Sequence, residues 1–432
     1  MRVRWRLSVM MGLVWAVQGA FWPLLAVHLR DLGIDGRERG WIFATLALGS
    51  FVMPLGAGHL VDRVWSTERL LALIYAVGTG LLAALALGVT THPWGLFGLF
   101  LAYWLLTAPA VSLSASLVLR HLERPREEFG LVRLWGTFGW MSVGWLVSGV
   151  LAYSGSVRAG QGTYEAFWVA AALSLLLAGY CLTLPHTPPL DVEVEEEEEE
   201  AGLRAALGLL RERKTRVVLL TAFGFCLTTP FVYQAIPTYL ESRGLARGWV
   251  AAAMSLAQWP EIASLAILPW LLGRLGDRGT LALGIVALGV RFGMLAFDPP
   301  LWAAVAGMPL HGVSIGCFLV GSQVYVDGRA PAHRRASAQA LLTVLSSGLG
   351  CCVGSLLAGE VMSRASGQPG LVFLVPCVLN GTLLIYFGTG FRSNPTLVRR
   401  DGEPTTVCLP EGGPERGSVA RVGILVTESA DG

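Results

Sequence analysis

The sequence predicts an all-α membrane protein: twelve transmembrane helices in two pseudo-symmetric six-helix bundles. Three observations lead there. First, 53% of the 432 residues are hydrophobic and only 14% are charged, against roughly 25% charged in an ordinary soluble domain. Second, the charges are segregated. Arg6 and Arg30 bracket 23 residues without Asp, Glu, Lys or Arg, and no formal charge lies between Arg69 and Arg120. Third, a loop motif recurs at matching places in the two halves: Gly58-His-Leu-Val-Asp62-Arg63 and Gly273-Arg-Leu-Gly-Asp277-Arg278.

The uncharged runs set the elements. Crossing roughly 30 Å of hydrocarbon takes about 20 apolar residues. The runs are continuously apolar, whereas strands of a membrane barrel alternate apolar and polar. The gap from 69 to 120 is too long for one helix and is divided at 91–93 by Thr-His-Pro. The spans predicted in order are 7–29, 40–61, 70–90, 95–118, 131–153 and 165–184 in the first half. The second half supplies 217–240, 248–272, 280–297, 300–325, 337–362 and 370–391. The short connections suit antiparallel neighbours in a bundle.

The first span resembles a signal peptide in its basic start, but its apolar run continues to Arg30, longer than a signal core. It reads as an uncleaved helix. Arginine and lysine in the loops orient the chain. With the N-terminus cytoplasmic, twenty-one such residues fall on that side and seven on the other. Both termini are then cytoplasmic, in a multi-pass protein of the cell membrane. Residues 1–184 form one bundle and 217–391 the other. The segment 185–216 is a cytoplasmic linker with an acidic run, Glu195 to Glu200, followed by a basic amphipathic stretch over 201–216. Residues 392–432, rich in Gly, Pro and charge, read as a disordered cytoplasmic tail.

A net charge of +2 at this hydropathy excludes a disordered chain. Without a basic stripe, nucleic acid is not an expected partner. Six of the seven cysteines fall in spans, without metal-ligand spacing, and read as apolar packing residues. No metal or cofactor is expected. A Ser-His-Asp arrangement, an H-E-x-x-H pair and a Walker loop are all missing, so the chain does not read as an enzyme.

An ionisable group inside the membrane is costly and marks a site. Glu261 lies about 13 residues into span eight, with Gln258 one turn earlier and Pro260 between them. A carboxylate there is a candidate for taking up and releasing a proton. Arg133, Thr137 and Trp140 recur at i, i+4 and i+7 in span five and share a face. That face offers a cation, a hydroxyl and an aromatic plane, which suits a polar solute with a ring. Arg133 sits near the end of its span, where snorkelling is the alternative. Arg291 in span nine reads as structural. His311, Gln18, Trp22, Gln234 and Gln323 are further polar or amphipathic residues within spans. The two G-x-x-x-D-R loops (Gly58, Asp62 and Arg63; Gly273, Asp277 and Arg278) are candidate gating elements, through switchable ion pairs with the neighbouring bundle.

The paired loop motif resembles that of the major facilitator superfamily. The resemblance implies two bundles rocking about a midplane site. It narrows at VRLWGTFGW in span five, LTLPHTPP after span six, SLAQWPEIAS in span eight, GVRFGMLAFDPP in span nine and RRASAQALL entering span eleven. These strings are similar to the nucleoside:proton symporter family over nearly all of residues 1–391. The resemblance implies nucleosides and protons as partners. It implies a substrate site at Arg133, Thr137, Trp140, Gln258 and Glu261. Two departures stand out. The family carries polar residues in mid-span seven, where this chain has Pro230 and Tyr233. It also carries an Asp in span ten, linked to proton coupling, where this chain has Gly316. Coupling then falls to Glu261 or another group.

The function expected is secondary active transport of nucleosides, coupled to protons, by a monomer in the lipid bilayer. The alternative is a facilitator of another small solute, such as an aromatic acid or a drug, without proton coupling.

Overall fold

A computed structural model describes residues 2–56, 65–154, 162–188, 208–330, 335–365, 368 and 370–391. The acidic run, the tail 392–432 and the first loop motif with Gly58, Asp62 and Arg63 lie outside the described residues. Within them the chain is helical, with no strand. The spans are α1 (Val3–Asp31), α2 (Gly36–Gly56), α3 (Thr67–Ala86), α4 (Pro93–His121), α5 (Pro125–Ser154) and α6 (Tyr164–Cys181). The second half supplies α7 (Arg213–Ser242), α8 (247–275), α9 (277–296), α10 (Leu301–Arg329), α11 (Ser337–Arg364) and α12 (Leu371–Gly390).

Ten described stretches are long and apolar enough to cross a membrane. One of them, Arg247–Ala296, would extend about 75 Å if straight, more than twice the hydrocarbon thickness. It breaks at Gly276 (φ 64°, ψ 178°), a conformation open only to glycine. That break separates α8 from α9. Helix α2 fills the place of the expected second span.

Two expectations are corrected. Helix α5 begins at Pro125 rather than near 131. Proline suits a first helical turn, where its missing N–H costs nothing. Arg133 is thereby two turns inside the helix rather than at its edge. The linker is also shorter than expected at both ends. Glu68 accepts hydrogen bonds from Thr187 N (2.9 Å) and pairs with His186 (2.8 Å), and Arg120 donates to Pro188 O (2.7 Å). Residues 185–188 are thus docked on the first half. The described part of the expected amphipathic stretch is a 3₁₀ turn, Leu209–Arg211, and α7 already starts at Arg213.

Small residues decide which helices meet closely. A Cβ on Gly139 would collide with the carbonyl of Gly12, and one on Gly19 would meet Trp140 and Val143 at 3.0–3.2 Å. Helices α1 and α5 therefore cross with their backbones nearly touching, as small residues permit inside a membrane. In the second half, Gly312 and Gly316 of α10 lie one turn apart against α8. Gly312 abuts Ala257, Pro260 and Glu261, and Gly316 abuts Ser264.

Contacts between the halves concentrate at one end, that of the Leu32–Asp35 turn. Gly36 and Gly40 of α2 press on Ser355, Gly359 and Ser363 of α11. Ser148 Oγ of α5 accepts a hydrogen bond from Ala252 N of α8 (3.2 Å). Seven charged residues and a serine complete the closure, among them Arg37 of α2, which donates to Glu360 of α11 at 2.7 and 3.0 Å. Arg247 reaches Asp31 (2.6 Å) and Glu241 (2.8 Å), and Arg30 bridges Asp31 (2.9 Å) and Glu241. Asp35, in the turn itself, accepts from Ser363 Oγ at 3.0 Å. Every side-chain hydrogen bond between the halves, among the described residues, lies at this end.

Candidate functional site

Between the halves lies a chain of rings and charges built on interrupted helices. Helix α1 changes to a 3₁₀ turn at Trp22–Leu24, where Pro23 stands. Helix α7 restarts at Pro230 and again at Ile236-Pro237. Helix α8 stops after Ser255 and restarts at Gln258, two residues before Pro260. Helix α10 restarts at Pro309 and widens to a π-turn over Ile315–Val320. Prolines at first turns explain the restarts. Broken spans free backbone polar groups, a feature tolerated where they line a cavity or are buried in protein.

The first half contributes α1 and α5. The Arg133 guanidinium lies 4.2 Å over the Trp15 ring. Gly136 makes room for both, since a Cβ there would meet Trp15 Cδ1 and Arg133 Nη1. Trp140 is 6.5 Å from Trp15 on one side and 6.4 Å from Tyr233 of α7 on the other. Trp22 is 6.2 Å from Tyr233. Thr137 is buried on the same face of α5.

The second half contributes α7, α8, α9 and α10. Tyr233 stands edge-on to His311 at 6.3 Å. It lies within electrostatic reach of both Glu261 and Arg291. Glu261 is in the first turn of the restarted half of α8. It faces Arg133 across the halves, near enough for their charges to interact. No ion pair within 4 Å holds them, among the described residues. Ser264 Oγ, one turn on, donates to Glu261 O (2.9 Å) and Gly312 O (3.3 Å), fixing the break against α10. Gln258 is buried beside it.

Of the expected site residues, Arg133, Trp140 and Glu261 are thus brought together, with Thr137 and Gln258 on the same stretches. Tyr233, which occupies a position marked as a departure, proves central because its ring joins the halves. Trp15 escaped the sequence reading, although Trp15, Gln18 and Trp22 recur at i, i+3 and i+7 on one face of α1. Arg291 is 1% exposed and donates to Met308 Sδ (2.9 Å), and among the described residues its Nε and Nη1 find no hydrogen-bond partner. It lies within electrostatic reach of Tyr233 and His311. Gln234 is elsewhere engaged: its Nε2 donates to Ser355 O (3.2 Å), tying α7 to α11. Gln323 is exposed, its carbonyl accepting from Gln339 (2.7 Å). In the second loop motif, Gly273, Asp277 and Arg278 are exposed, and Arg278 donates to Gly388 O of α12 (2.9 Å).

Two membrane-embedded halves, one sealed end and a polar ring site on broken helices define a solute transporter rather than an enzyme. The family follows from comparison. A family model described as "Nucleoside H+ symporter" matches residues 1–395, and the chain belongs to that family. A putative nucleoside transporter, YegT of Escherichia coli (strain K12), is 32% identical over 371 residues, covering 84% of this chain and 85% of YegT. The xanthosine permease of the same organism is 26% identical over 388 residues, covering 85% and 89%. The crystal structure of nucleoside transporter NupG superposes with a TM-score of 0.79 at 22% identity, covering 91% of this chain and all of that one. That likeness carries the fold.

Proposed function

We propose that this chain carries nucleosides together with protons, the base held among Trp15, Trp140 and Tyr233. The observation that supports this best is the ring set itself: aromatic residues from both halves converge where a carboxylate, Glu261, and a guanidinium, Arg133, lie within electrostatic reach of each other. Aromatic planes take a nucleobase, and Thr137 and Gln258 offer hydrogen bonds to base or ribose. Because the site is shared between the halves, closing on a solute couples binding to their relative movement. Glu261 takes the proton: in its neutral form it no longer attracts Arg133, which loosens one link between the halves. The arginine-rich terminal side is cytoplasmic, in the cell membrane. The sealed turn end then faces outward.

A second reading rests on charge. Among the described residues, Arg133 and Arg291 bring two guanidiniums to the site against the one carboxylate of Glu261, which favours an anionic solute such as an aromatic acid. Proteoliposome uptake separates the two. Labelled uridine or adenosine should accumulate under an inward proton gradient, and Glu261→Gln should lose the gradient dependence. Uptake of benzoate-like acids with no uptake of any nucleoside would sink the first reading.

A further inference from the structure

Beside the Tyr233 ring, two buried polar side chains have hydrogen bonds still to make. Arg291 of α9 is 1% exposed and His311 of α10 is 5% exposed. Arg291 donates to Met308 Sδ, which is a weak acceptor. Among the described residues, its Nε and Nη1 and the His311 Nδ1 find no hydrogen-bond partner. No carboxylate among the described residues offsets the charge of Arg291. Residues 285–297 hold no acid, and no ion pair within 4 Å involves Arg291. Asp298, the next acid along the chain, is held by Tyr239 and Arg243. Glu261 faces Arg133. The groups within electrostatic reach of Arg291 are Tyr233 and His311, and neither is an anion. Tyr233 is only partly covered and stands edge-on to His311 at 6.3 Å. A base held against Tyr233 therefore turns one edge toward α9 and α10.

We propose that Arg291 and His311 read that edge. They select nucleosides whose base carries a carbonyl beside a ring N–H, as in uridine and inosine, over those with an amino group there, as in cytidine and adenosine. The inference rests on the nucleoside reading above and names the substrate class of the same site. A guanidinium has donors and no acceptor. From Nε or Nη1 it donates to a base carbonyl oxygen, and it cannot pair with an amino group, which is itself a donor. His311 supplies the complementary half. One nitrogen of a neutral imidazole is an acceptor, and as that nitrogen Nδ1 accepts from the ring N–H. Cytidine and adenosine invert both groups: an amino donor meets Arg291 and a bare ring nitrogen meets Nδ1. A site built on buried donors rejects a ligand without the acceptor, because the donors then stay unpaired.

Competition binding on the full-length protein in detergent tests this by ranking uridine against cytidine and inosine against adenosine. The wild type should favour the first of each pair by roughly tenfold. Arg291→Gln, whose amide both donates and accepts, should bring both ratios close to one. A merely structural arginine would weaken all four ligands alike and leave the ratios unchanged. If Arg291→Gln does not fold, 4-thiouridine takes the place of the variant. Its sulfur is a weak acceptor where uridine has oxygen, so the wild type should bind it severalfold more weakly than uridine. Equal affinities within each pair overturn the proposal and leave the nucleoside reading standing. Ratios unchanged in Arg291→Gln, or 4-thiouridine bound as well as uridine, do the same. A preference lost in Arg133→Gln but kept in Arg291→Gln puts the readout at Arg133 and equally overturns it. No binding of any nucleoside overturns both readings.

Discussion

Replacing Asp31 by asparagine should open the sealed end. Asp31 and Arg247 approach to 2.6 Å, and both side chains are only 4% exposed. Removing one member of a buried pair costs about 3–5 kcal/mol when the other charge is left alone. Arg247 is not left alone, because Glu241 holds its Nε at 2.8 Å. Arg30 keeps Glu241 as well. About half of the penalty survives, on the order of 2 kcal/mol. When the end is open the same groups are hydrated, so the loss falls on the closed state only. At about 1.4 kcal/mol per tenfold, the closed-to-open ratio drops about thirtyfold. Spin labels at Gly33 and Gln368, both exposed at this end, report the separation by electron–electron double resonance in a background with the native cysteines removed. The wild type should give a short distance and Asp31→Asn a mixture with a longer one. An unchanged distribution would refute the assignment of the Arg30–Asp31–Glu241–Arg247 cluster as the closure.

Three further outcomes are expected. Trp15→Ala removes the ring under Arg133, a contact worth about 0.5–2 kcal/mol, and should weaken nucleoside affinity about 2- to 30-fold in equilibrium binding. Gly316→Asp, which installs the acid implied by resemblance, forces a side chain onto Ser264. Such overpacking costs about 1–3 kcal/mol, so the variant should melt lower and show no gain in proton-driven uptake. Burial raises the pKa of Asp35, but hydrogen bonds from Arg37 N, Gly36 N and Ser363 outweigh it and hold the carboxyl below its usual range. A lowered pKa stabilises the closed end above the ordinary value of about 3.9 and loses that stabilisation below it. Asp35→Asn should therefore leave the shape of the uptake profile between pH 5 and 7 unchanged.

The spans were legible because a missing charge over twenty residues has one physical meaning in a bilayer. Arg133 was legible as a residue type, but its depth was not, since a helix starting at Pro125 gives hydropathy no apolar signal over its first turns. Tyr233 and Trp15 were harder to read. An aromatic residue in an apolar span looks like packing until a partner from the other half is placed beside it. The absent acid at 316 has a packing reason that only three dimensions supply: Gly312 and Gly316 seat α10 on the break in α8 that carries Glu261.

The central claim is that one nucleoside is held between rings from both halves. Calorimetric titration of uridine and adenosine into the wild type, Trp140→Ala and Tyr233→Ala tests it most directly. Base–aromatic stacking is worth about 1–3 kcal/mol, so the wild type should bind and each variant should bind at least about fivefold more weakly. Binding undiminished in both variants, or no nucleoside binding by the wild type, would contradict the account.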